Sequence, residues 1–190
     1  MVALFREGPG PHALALAMIG VRLGERQLLI GDDAALFAAL ATKVGVTGHS
    51  LAVAGSEPSA SRLREAAAAA GVLLDVEFRL LPALPLVPQA FDVAVIDAGP
   101  SLLHLDPARR VDLARAVFQS VRPGGRAVVS ERPATRLFGL VRTTPPALRE
   151  FRARGGAEHL LEEGGFRPVR CLAQRDGQRF AEGRRPGIGS

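Results

Sequence analysis

Tryptophan and tyrosine are absent from this 190-residue chain, and Cys171 is its only cysteine. The missing rings remove the flat side chains on which single-stranded nucleic acid stacks. A single cysteine rules out an intrachain disulfide and any cysteine-based metal cluster, which fits a reducing interior. Lysine is nearly absent as well. Lys43 stands alone among 24 basic residues, so arginine carries the formal net charge of +5. Those arginines are scattered from Arg6 to Arg185 without a dense stripe, and no nucleic acid is expected as a partner. Long apolar runs are missing too. The stretch from Ala13 to Ile19 falls far short of the roughly 20 residues of a membrane span, and no basic leader precedes such a run. The reading is therefore a cytoplasmic protein with no membrane partner.

What is present is an ordinary globular composition, 47% hydrophobic and 23% charged, at a length that suits one core. A loose arm over 1–10, a single domain over 1–182 and a disordered tail over 183–190 are expected. The stretch QLLIGDDAALFAALATK, Gln27 to Lys43, reads as a buried strand turning sharply into a helix, with Asp32 and Asp33 supplying turn and cap chemistry. His12 to Ile19 predicts a short helix closed by Gly20, and His12 itself reads as solvated, against the alternative that this arm lies across the pocket as a lid. SLAVA, Ser50 to Ala54, is a second strand; a helix over Ser59 to Ala70 follows with Pro58 at its first position. Val72 to Phe78 is a third strand. Pro82, Pro85 and Pro88 make Leu80 to Gln89 a loop. FDVAVI, Phe91 to Ile96, is a fourth strand, and Asp106 caps a helix beginning with Pro107. Pro123, Gly124 and Gly125 predict a turn into a fifth strand, Arg126 to Ser130. Residues 132–156 dissolve into arginines and prolines and read as a substrate-facing insertion. A helix over Ala157 to Glu163 precedes two strands, Val169 to Ala173 and Gln178 to Ala181, joined by a hairpin at Asp176 and Gly177. Such alternation predicts an α/β domain, doubly wound, with helices on both faces of a mostly parallel sheet.

Several segments together resemble the class I methyltransferases that use S-adenosylmethionine. VRPGGRAVVSE, Val121 to Glu131, is similar to that family's turn and fifth strand, and EEGGFRPVRCLA, Glu162 to Ala173, to its last helix and antiparallel strand. FDVAVID resembles the fourth strand, and Leu103-His104-Leu105 the leucine-histidine segment that follows it. The resemblance implies a seven-stranded sheet ending in an antiparallel hairpin, and S-adenosylmethionine as cofactor. The family's first motif, however, survives only in part: its acid falls on Leu29 and its three glycines on Gly31, Asp33 and Ala35. Asp33 tolerates left-handed backbone better than most residues, so the turn itself can persist.

The implied cofactor residues are Gly31, Asp32 and Asp33 in the turn, Glu57 as the acid gripping the ribose hydroxyls, and Leu81 beside adenine. Asp97 positions the acceptor and His104 is the candidate base, against the plainer readings of a loop cap and a solvated histidine. No metal is expected, because aspartates such as Asp32, Asp33 and Asp97 at loop ends are commoner as caps than as ligands of hard cations. Nicotinamide chemistry is disfavoured, since Asp32 and Asp33 repel a pyrophosphate. The function expected is S-adenosylmethionine-dependent methyl transfer to a small-molecule acceptor; the alternative is a binding or scaffold protein that kept the fold and lost cofactor binding and catalysis. A homodimer is left open.

Overall fold

Apolar strands alternate with helices along the chain, and the computed structural model describes residues 12–84, 87–136 and 141–187. The arm expected over 1–10 lies outside the described residues, as do 188–190 of the expected tail. Helix α1 (Ala13–Ile19) ends where Gly20 turns left-handed. Strand β1 (Arg26–Ile30), helix α2 (Ala34–Val44), strand β2 (His49–Ala54), helix α3 (Glu57–Ala70) and strand β3 (Asp75–Phe78) follow. A loop then crosses to β4 (Phe91–Asp97), and α4 (Pro100–Leu103) and α5 (Pro107–Ser120) lead to β5 (Val121–Glu131). The last third holds a small hairpin, β6 (Ala134–Arg136) with β7 (Val141–Thr143), then α6 (Pro146–Ala153), α7 (Gly156–Glu163), β8 (Val169–Arg175) and β9 (Gln178–Arg184).

Seven strands form one sheet in the order β3-β2-β1-β4-β5-β9-β8. The first five run parallel; β9 is antiparallel to β5, and β8 to β9. Because successive strands build outward from β1 on one side and from β4 on the other, strand order reverses between β1 and β4. Their carboxyl ends diverge there and leave a crevice.

The apolar runs are continuous because both faces of the sheet are covered. Leu28, Ile30, Val53 and Ile96 face Leu113 and Val117 of α5 and Leu160 of α7. Their neighbours Leu29, Ala52, Val93 and Val95 face Ile19 of α1, Phe37 and Leu40 of α2 and Leu63 of α3. Each fully buried Leu or Phe contributes about 2 kcal/mol of transfer free energy. Among the described residues no helix is long and apolar enough to cross a membrane.

Local differences from the sequence reading have local causes. Strand β3 begins at Asp75 instead of Val72, whose N–H is taken up by Ala67 at the end of α3. Pro123 to Gly125 lie within β5 as an irregularity of the ladder: Phe91 pairs with Val121, Val93 with Arg126, and Gly124 supplies φ +77°. Helix α3 starts at Glu57 with Ser56 as its cap, so Pro58 occupies the second position. The sequence reading begins a tail at Gly183, yet β9 runs on to Arg184, and Gly183 pairs with Ala127. Asp176 and Gly177 do form the hairpin turn, both with positive φ.

Candidate functional site

The turn after β1 is built around Gly31, whose φ is +139°. A Cβ there would lie 2.7 Å from Cβ of Asp97, so bare backbone is required for β1 to lie against the end of β4. The residue does not line the crevice cavity, and the close approach it permits is to its own chain. Asp33 has φ −83° and is not left-handed; its Oδ1 accepts from the Leu36 N–H at 2.9 Å and caps α2. Asp32 reaches across to α4, accepting from both the N–H and the Oγ of Ser101 at 2.7 Å.

Asp97, at the end of β4, is only 6% exposed. Its carboxyl is pushed up to about 6, chiefly by burial; Arg132 opposes the shift, and Asp33 and Asp32 add to it. Arg132, on the loop after β5, forms ion pairs with Asp33 and with Oδ1 of Asp97, the latter at 3.1 Å. Burial alone would lower its pKa, but the two carboxylates outweigh that and raise it, so the guanidinium stays charged between them. Sequence reasoning missed Arg132. Its signal was position, one residue beyond the carboxyl end of a strand that borders the crevice.

These groups line a cavity of about 730 Å³ together with His104, Leu103 and Leu148. Leu148 belongs to α6, so part of the 132–156 segment does face the cavity. His12 and Arg62 also line it, so His12 is not the solvated residue that the sequence reading expects. His104 ends α4 and is exposed; among the described residues no hydrogen bond joins it to Asp97.

Glu57 and Leu81 fall elsewhere. Glu57 is exposed on the first turn of α3, paired with Arg64 at 2.9 Å, and does not line the cavity. Leu81 is 5% exposed and packed in the core, with its carbonyl accepting from Arg109. The end of β2 is instead covered by its own chain: a Cβ on Gly55 would meet Oγ of Ser101 at 2.6 Å and Cδ1 of Leu81 at 3.5 Å. The acid that the resemblance implies at the end of β2 is therefore turned away from the cavity. Glu57 and Leu81, as placed, do not fit the ribose and adenine roles that the sequence resemblance implies.

No family model and no curated protein matches the sequence. Solved structures do. A SAM-dependent methyltransferase from Aquifex aeolicus aligns with TM-score 0.71 at 17% identity, over 92% of this chain and 93% of that one. A methyltransferase of the same dependence from Mesorhizobium loti aligns with TM-score 0.59 at 21% identity, over 92% and 97%. A SAM-dependent O-methyltransferase from Thermotoga maritima gives 0.64 at 16%, over 96% and 67%. The chain has the class I methyltransferase fold.

Proposed function

We propose that this protein binds a small polar molecule in the cavity between the ends of β1, β4 and β5, on a methyltransferase fold whose adenosine seat is filled by its own side chains. The observation that carries this reading is Ser101 lying close against Gly55, where a Cβ would meet its Oγ at 2.6 Å, with Asp32 holding Ser101 through two hydrogen bonds. The remaining cavity has the volume of a metabolite site. It mixes charged groups, Asp33, Asp97 and Arg132, with the apolar Leu103 and Leu148, a lining suited to a ligand with a polar head and an apolar body.

Titration calorimetry with S-adenosylmethionine at millimolar concentration is the test. No heat is expected; measurable binding, or cofactor carried through purification, would overturn the proposal. The second reading, methyl transfer to a small-molecule acceptor, is favoured by the methyltransferases with which the fold aligns. In that reading Asp97 positions the acceptor and His104 serves as base. It requires α4 to withdraw Ser101 from Gly55, and the same calorimetry separates the two.

A further inference from the structure

A second cavity, of about 130 Å³, opens between α5, α6 and the start of α7. We propose that it is an anion site, taking a phosphate-class oxyanion held by Arg110, Arg154 and His159.

Arg110 carries the argument. It is 7% exposed, and its guanidinium donates to the Leu103 carbonyl at 2.6 Å and lies 5.6 Å from the ring centre of Phe151. Its Nε is buried without a hydrogen-bond partner, and among the described residues Arg110 makes no ion pair. A buried guanidinium with a donor left unpaired is costly. Burial accordingly pulls its pKa down, and the attraction of Glu150 and Asp106, set against repulsion from Arg154, does not restore it.

Among the described residues no acidic side chain lines the cavity. Asp106 is engaged in capping α5 at the Arg109 N–H, and Glu150 pairs with Nε of Arg154 at 3.3 Å. Two arginines therefore border one pocket whose lining carries no carboxylate, with Glu150 engaged outside it by Arg154. An oxyanion placed there accepts from the unpartnered Nε side of the Arg110 guanidinium, whose planar fork matches its geometry. Phe151 and Leu160 form an apolar wall that strengthens the attraction by excluding water.

Calorimetric titration with inorganic phosphate, at constant ionic strength in chloride, tests the site. The wild type is expected to bind with a dissociation constant below about 1 mM. Arg154→Ala combined with His159→Ala removes two exposed side chains, so its melting temperature in chloride is expected to match the wild type while phosphate binding weakens at least about tenfold. Arg110→Lys, which keeps charge but loses the fork, is expected to weaken binding as well. Equal affinity in the double variant, or no binding by the wild type, overturns the proposal.

Discussion

Asp97 illustrates how one carboxyl can be both held and disfavoured. Arg132 attracts its ionised form, but burial and the neighbouring Asp33 and Asp32 oppose it, and the balance leaves the group titrating near 6 instead of 3.8. In the folded state the proton is therefore bound more tightly than in the unfolded chain. The stabilisation from that proton is complete below the unfolded value and disappears as pH rises through the folded one. A shift of this size corresponds to about 3 kcal/mol. Asp97→Asn has no such titration. Its stability relative to the wild type is expected to improve by about 3 kcal/mol between pH 3.5 and pH 7.5, read from urea unfolding of both proteins at each pH. A difference that stays flat across this window would show that Asp97 is not perturbed.

At the scale of elements, the turn from β1 into α2 decides how closely two strands can end together. Gly31 and Gly71 both have positive φ, but a Cβ at Gly71 meets nothing within 4 Å, whereas one at Gly31 collides with Asp97. Gly71→Ala is expected to cost about 1 kcal/mol, the conformational penalty alone. Gly31→Ala adds a steric clash in a buried crevice and is expected to cost about 3 kcal/mol or more. Chemical denaturation of the two variants provides the comparison, and equal losses would mean the approach of β1 to Asp97 carries no weight. The same turn ties the elements around the crevice together. Asp33 caps α2 and pairs with Arg132 after β5, and Asp32 holds the first turn of α4.

For the molecule as a whole, the sheet sets the order of stability. Strand β4 is hydrogen-bonded on both edges, to β1 and β5, while β3 pairs only with β2 and ends near the exposed Phe78 and Leu80. Hydrogen exchange should therefore be slowest across 93–97 and faster by about a hundredfold or more across 75–78, where local fraying suffices. Mass-spectrometric exchange at peptide resolution measures this. Comparable protection of both strands would mean that the sheet opens only as one unit.

Much of this architecture is readable in the chain because it depends on local periodicity. LLI, LAVA and VAVI are unbroken apolar runs, as strands covered on both faces must be, and Gly20, Asp33, Asp106 and Asp176-Gly177 punctuate the elements by their own backbone and capping preferences. The site was legible only in part. Asp33 and Asp97 were marked by their place at strand ends and both line the cavity, whereas Glu57 lies outside it, on the first turn of α3 beside Arg64. Arg132, Ser101 and Leu81 act from 99, 69 and 26 residues away on Asp33, Asp32 and Gly55. Pairings of that kind have no period or spacing in sequence; they arise when packing of the strands brings loop ends together, and that packing decides whether the crevice admits a ligand or is closed by the chain itself.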